Sequence, residues 1–206
     1  MGKRGSSNRW LERQSKDVFV KRSRKDAYRA RSAYKLKDLD TRYKLLHRGG
    51  TVIELGAAPG GWSQVAAEAL GGQGCLIALD LLECEPLASV QFIKGDCNSK
   101  AVKEELLRKL GSSRVDVILS DMAPNISGIA LKDEADSIRL AEIAVDFSQN
   151  YLKKGGTLVI KLFDYPDTIE LIKTIKTMFS KVIRAKPEAS RSESREFYVV
   201  ARGFVI

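Results

Sequence analysis

In Thr51-Val52-Ile53-Glu54-Leu55-Gly56-Ala57-Ala58-Pro59-Gly60-Gly61-Trp62, a short apolar run with β-branched residues meets a turn of small residues. Such a run reads as a buried strand. The residues that follow, Trp62 to Leu70, read as a helix closed by Gly71-Gly72. Strand, glycine turn and helix form a βα unit, and the backbone at Gly56, Gly60 and Gly61 is free to approach a ligand closely. The dinucleotide fingerprint G-x-G-x-x-G is absent. Glu54, near the strand end, suits a ligand carrying positive charge better than a pyrophosphate. S-adenosylmethionine, with its sulfonium and α-amino group, has that character. A plain tight turn in some other α/β enzyme is the alternative, and this stretch alone leaves it open.

Downstream, the same alternation of strand and helix continues. Cys75 to Asp80 reads as a second buried strand ending in an acid. Asp80 follows Gly56 by 24 residues, close to the offset at which a strand-end acid binds ribose hydroxyls. A helix cap or a solvated strand end competes with that reading. Val90 to Asp96 is a third strand, and Asp96 is a candidate acceptor for an adenine amine. Asn98 is expected to cap a helix that runs to Leu110. Val115 to Ser120 is a fourth strand, followed by Asp121-Met122-Ala123-Pro124-Asn125. Asp121 then stands at a strand's carboxyl end, where open α/β sheets place their chemistry. A long helix is expected from Asp133 to Leu152, ended by Gly155-Gly156. In the fifth strand, Thr157 to Phe163, Lys161 interrupts an apolar run. Lysine is seldom buried without a partner, so Lys161 is either functional or snorkels to solvent. A helix over 167–179 leads to strands at 181–187 and 196–202, joined by the polar, basic loop Ser190-Arg191-Ser192-Glu193-Ser194-Arg195. That loop has no room for a helix, so the last strand is expected to run antiparallel. The whole reads as an α/β fold, a Rossmann-like doubly wound sheet of seven mostly parallel strands with helices on both faces.

The chain has 206 residues, enough for one such domain, and a formal net charge of +9. The charge is uneven. Residues 1–48 hold 16 Lys/Arg against 5 Asp/Glu, a net +11, and the rest hold 19 against 21, a net −2. A basic leader is the footprint of a phosphate-backbone partner, with a solvated basic helix as the plainer reading. Residues 1–8 read as disordered, and bulky apolar residues alternate with basic ones from Trp10 to Lys25. Ser32 is positioned to cap a helix running to about Leu46, with Lys35 beside its apolar stripe. Taken from this stretch alone, Lys35 is a surface lysine. No apolar run is long enough to span a membrane, and no secretory signal opens the chain. Cys75, Cys84 and Cys97 lack C-x-x-C pairing, and His47 stands alone, which argues against a zinc site. A reducing, cytoplasmic setting is expected.

Three separated motifs, Gly56 through Gln64, Ser120-Asp121-Met122-Ala123-Pro124-Asn125, and Ser190-Arg191 to Ser194-Arg195-Glu196, closely resemble the FtsJ/RrmJ family. Members are S-adenosylmethionine-dependent RNA ribose 2′-O-methyltransferases. The resemblance runs over nearly the whole chain from about Arg9, including Tyr28-Arg29-Ala30-Arg31-Ser32-Ala33-Tyr34-Lys35-Leu36. By motif match it implies a catalytic tetrad of Lys35, Asp121, Lys161 and Glu196. It implies cofactor contacts at Gly60, Trp62, Asp80, Asp96 and Asp121, to which Glu54 and Gly56 are added from their place in the turn. Glu54 departs from the Asp of many relatives but keeps the charge.

The resemblance is strongest to members that methylate a uridine ribose of large-subunit (23S) ribosomal RNA. It implies a monomer acting on the large ribosomal subunit, with no membrane or metal. Relatives acting on the tRNA anticodon loop or on mitochondrial large-subunit rRNA share these motifs. The non-enzyme alternative, an inactive RNA-binding module, would lack one or more of the four tetrad residues, and all four are present. Residues 1–31 are expected to form a basic RNA-binding segment ahead of a methyltransferase domain over 32–206. The expected phosphate ligands are Arg22, Lys25, Arg29, Arg31, Arg191 and Arg195. For Lys161 two roles stay open, a base with lowered pKa or a charged group that orients the ribose oxygen.

Overall fold

The computed structural model describes residues 17–206. The expectations for residues 1–8 and for Trp10 to Lys16 lie outside them. Seven strands form one sheet in the order β3-β2-β1-β4-β5-β7-β6. They span Thr51–Leu55 (β1), Cys75–Asp80 (β2), Val90–Lys94 (β3), Val115–Ser120 (β4), Leu152–Phe163 (β5), Phe179–Ala185 (β6) and Glu196–Phe204 (β7). β1 pairs in parallel with β2 and β4, β2 with β3, and β4 with β5. β7 is inserted between β5 and β6 and is antiparallel to both, as the short loop before it requires. Chain order reverses between β1 and β4, so a crevice opens at their carboxyl ends.

The helices are α1 (Val18–Lys25), α2 (Ala33–Tyr43), α3 (Gly61–Leu70), α4 (Lys100–Leu110), α5 (Ala130–Tyr151) and α6 (Thr168–Met178). Ile53, Leu55, Ile118, Ile160 and Leu162 face one layer, where they pack with residues of α4, α5 and α6. Val52, Leu76, Val117, Val159 and Tyr198 face the other, against α2 and α3. The two sets alternate along each strand, as the period of two demands. Burial on both faces explains the near-continuous apolar runs. Each fully buried Leu or Ile contributes about 1.5–3 kcal/mol. An acid among them therefore needs a reason, and Glu54 shares the face of Val52.

Several boundaries differ from the sequence expectation, each for a local reason. Ser32 holds the N-cap position of α2 but makes no side-chain cap bond. The same helix stops at Tyr43, because Asp40 Oδ1 accepts from the backbone N–H of Leu45 and Leu46, both at 2.9 Å. Ser99, not Asn98, caps α4, accepting from Val102 N at 3.3 Å. Helix α5 begins at Ala130 and passes straight into β5 at Leu152, so Gly155-Gly156 lie inside a strand. Leu152 is fully buried and pairs with Val115, and that packing ends the helix ahead of the glycines.

The leader's described part is packed down. Asp17 caps α1 by accepting from Phe19 N and Val20 N. Tyr28 donates to Glu68 on α3 at 2.7 Å, and Gln64 on the same helix bonds the backbone of Ala27 and Arg29.

Candidate active site

A cavity of about 470 Å³ lies at the carboxyl ends of β1, β2 and β4, within the range of small-molecule sites. Gly56, Asp80, Asp96 and Asp121 line it, joined by Leu82 and Met122. Gly56 is needed here twice over. Its φ is +76°, and a Cβ would come within 2.8 Å of Met122 Cγ and 2.9 Å of Met122 N. Asp80 fixes the turn by accepting from Ala58 N and Leu82 N, each at 2.8 Å. Its carboxylate oxygens keep further lone pairs for ribose hydroxyls. Asp96 accepts from Asn98 N at 2.9 Å.

Glu54, two residues before Gly56, is fully buried. Its Oε2 accepts from Ser63 Oγ at 2.6 Å, while Oε1 is buried without a hydrogen-bond partner. Burial first, and then the carboxylates of Asp121 and Asp80, push its pKa up to about 8 against the opposing Ser63 bond. A buried acceptor left open asks for a donor, and a cationic donor would also relieve the crowding of acids.

Beside the cavity, four elements bring a polar cluster together. Lys161 on β5 donates from Nζ to the backbone oxygen of Asp121 at 2.5 Å and to its Oδ1 at 3.0 Å. Lys35 on α2 pairs with Glu196 on β7 at 2.5 Å. Tyr198 joins the two pairs. Its hydroxyl donates to Asp121 Oδ1 at 2.6 Å, and the Lys35 ammonium stands 5.7 Å from its ring centroid. Lys161 lies opposite Tyr198 and Phe163 opposite Glu196 in the β5–β7 register, so all four project from one face. Tyr198 was within reach of sequence reasoning, because it sits two residues from Glu196 and therefore shares its face. Ser63 had no such signal. Among the described residues, no cluster of three or more His, Cys, Asp or Glu is placed to hold a metal ion, and no helix is long and apolar enough to cross a membrane.

The family model for FtsJ-like methyltransferases matches residues 28–204. The chain belongs to the FtsJ-like methyltransferase family. This FtsJ-like methyltransferase is 44% identical over 204 residues to the ribosomal RNA large subunit methyltransferase E of Marinobacter nauticus, covering 99% of each chain. It is 46% identical over 199 residues to the protein of the same name from Chromohalobacter salexigens, covering 97% of this chain and 95% of that one. A crystal structure of a ribosomal RNA methyltransferase from Plasmodium falciparum superposes with a TM-score of 0.79 at 31% identity, covering 86% of this chain and 99% of the other.

Not every expected contact of the FtsJ-like methyltransferase reaches the cavity. Gly60, Trp62 and the fully buried Glu54 do not line it. Trp62 is buried, with its indole N–H donated to Ser32 O at 2.8 Å and its ring 5.6 Å from that of Tyr198. It braces α2 against α3. Of the expected phosphate ligands, Lys25 and Arg195 are exposed, and Arg22 is exposed beside Asp26 and over the Tyr34 ring. Arg31 and Arg191 share Asp17, at 3.2 and 3.7 Å. Arg31 Nε is within ion-pair range of Asp17 but off hydrogen-bond geometry, while its Nη2 donates to Ala189 O. Arg29, expected to meet RNA phosphate, instead spends its guanidinium on the carbonyls of Pro59, Glu85 and Pro86.

Proposed function

We propose that this methyltransferase moves the methyl group of S-adenosylmethionine to a uridine ribose 2′-hydroxyl of large-subunit ribosomal RNA, as a cytoplasmic monomer acting on the assembled large subunit. The observation that carries the reading is the Lys161–Asp121 contact at the cavity rim, tied through Tyr198 to Lys35 and Glu196. Support for the RNA class comes from the names of the Marinobacter and Chromohalobacter relatives.

The residues fit the cofactor. Asp80 and Asp96 line the cavity and suit ribose hydroxyls and an exocyclic amine. Glu54, buried two residues before Gly56 with Oε1 unpaired, adds a site for negative charge that favours a cationic methionine end from behind the wall. Bound there, S-adenosylmethionine supplies a methyl group already activated on a sulfonium. Much of the rate then falls to positioning. Lys161 has two of its three donors engaged on Asp121, and the third is free to hold the ribose oxygen. The charged lysine thereby orients the nucleophile and stabilises its developing negative charge. Asp121 takes up the hydroxyl proton, held in place by Lys161 and Tyr198. Lys35 and Glu196 form the opposite wall of the cluster and present a fixed ion pair to the incoming nucleotide. The exposed basic residues of the leader and of the 190–195 loop bind flanking phosphates.

Transfer of tritiated methyl onto naked ribosomal RNA, tRNA and intact large ribosomal subunits, followed by mapping, tests the reading. Label on a ribose 2′-oxygen of the large-subunit RNA is expected. Label on tRNA instead would overturn the substrate assignment, and label on a base would overturn the reaction.

A further inference from the structure

We propose that Arg29 is a positioning residue of the cofactor pocket, not a ligand for RNA phosphate; this rests on the methyltransferase reading above. Three carbonyls receive its guanidinium. Nη1 donates to Glu85 O at 2.7 Å and to Pro59 O at 3.4 Å, and Nη2 donates to Pro86 O at 2.8 Å. Pro59 belongs to the glycine turn after β1, and Glu85 and Pro86 belong to the loop between β2 and β3. Those two segments are the walls on either side of Asp80. Asp80 itself holds Ala58 in one wall and Leu82 in the other. Ala58, Leu81 and Leu82 all line the cavity. Arg29 therefore closes from outside the same gap that Asp80 closes from inside.

The turn is built around the arginine. Gly60 has φ +107°, and a Cβ there would lie 2.8 Å from Arg29 Nη1 and 3.2 Å from its Cδ. The arginine's own backbone is anchored, because its N–H donates to Gln64 Oε1 at 2.8 Å and Gln64 Nε2 donates to Ala27 O at 2.9 Å. A planar fork reaching several carbonyls is a task for guanidinium geometry, and a lysine would keep only the charge.

The full-length chain and its Arg29→Lys and Arg29→Gln variants are compared by calorimetry with S-adenosylhomocysteine, by RNA binding without cofactor, and by amide exchange over residues 81–89. Both variants are expected to bind S-adenosylhomocysteine about tenfold more weakly, as loss of charged hydrogen bonds implies. Exchange over 81–89 should quicken in the free protein. KM for the methyl donor should rise while kcat at saturation and RNA affinity hold. Arg29→Lys keeps charge and stem and carries the test if Arg29→Gln does not fold. Unchanged cofactor affinity and exchange in Arg29→Lys would overturn the proposal, as would a loss of RNA affinity that Arg29→Lys restores. A wild-type chain that does not bind S-adenosylhomocysteine would instead overturn the methyltransferase reading.

Discussion

Tyr198 donates its hydroxyl to Asp121 Oδ1 at 2.6 Å, while the Lys35 ammonium stands 5.7 Å from the centroid of the same ring. One buried tyrosine thus links two ion pairs drawn from α2, β5, β7 and the loop after β4. Its pKa lies well above 10, raised first by burial and then by Asp121 and Glu196, so it remains a donor across the working pH range. Tyr198→Phe keeps the ring and removes that donor. We expect kcat to fall about tenfold with cofactor affinity unchanged, in line with one hydrogen bond to a charged group. Turnover equal to wild type would mean that Lys161 alone holds Asp121.

Glu54 makes stability depend on pH in an unusual direction. Its pKa is raised from 4.5 to about 8 by burial, so folding takes up a proton between those values. The folded state binds more protons than the unfolded one, and stability falls as pH rises through that window. The loss is on the order of a few kcal/mol. Glu54→Gln removes the titration. In urea melts of the cofactor-free protein, the difference between wild type and Glu54→Gln should therefore widen against wild type from pH 4.5 to about 8 and level off above. A difference independent of pH would contradict the buried, neutral carboxyl. A cationic ligand draws the proton off Glu54, so cofactor binding should release protons near neutrality, and buffers of different ionisation heat would detect this in calorimetry.

Lys35 and Glu196 are 90% and 87% removed from solvent at the side chain, at 2.5 Å. Removing either partner alone leaves a poorly hydrated charge. A double-mutant cycle with Lys35→Met and Glu196→Gln, read by urea unfolding, should give a coupling of about 1–3 kcal/mol. A coupling near zero would mark the pair as solvent-screened and of no consequence for the cluster's geometry.

The sheet was legible because its strands are buried on both faces and carry apolar runs such as Val52-Ile53 and Val117-Ile118-Leu119. The four residues that meet around Tyr198 were legible through motifs, and Lys161 also through its oddity within β5. What stayed hidden depends on tertiary contact. Gly155-Gly156 reads as a helix stop, yet pairing of Leu152 with Val115 ends the helix sooner. Trp62 stands in the glycine-turn motif, but its indole finds Ser32, 30 residues away. Arg29 in a basic leader reads as a phosphate ligand, and only the fold brings it to carbonyls 56 and 57 residues downstream.

That last contrast has a measurable side in salt dependence. Lys25 and Arg195 are exposed, and each that neutralises a phosphate should add about 0.7 to the slope of log affinity against log salt on single strands. Lys25→Gln and Arg195→Gln should each flatten the slope by that amount in filter binding. Arg29→Gln should leave it alone. An equal flattening in all three would return Arg29 to the RNA surface.

The most direct test compares methyl transfer to large ribosomal subunits by wild type and Lys161→Ala, with S-adenosylhomocysteine binding measured on both. The expected result is a loss of turnover of at least about a hundredfold in Lys161→Ala, as for loss of a group that stabilises charge at the reacting oxygen, with the ligand still bound and the fold intact. Near-normal transfer by Lys161→Ala would contradict the account.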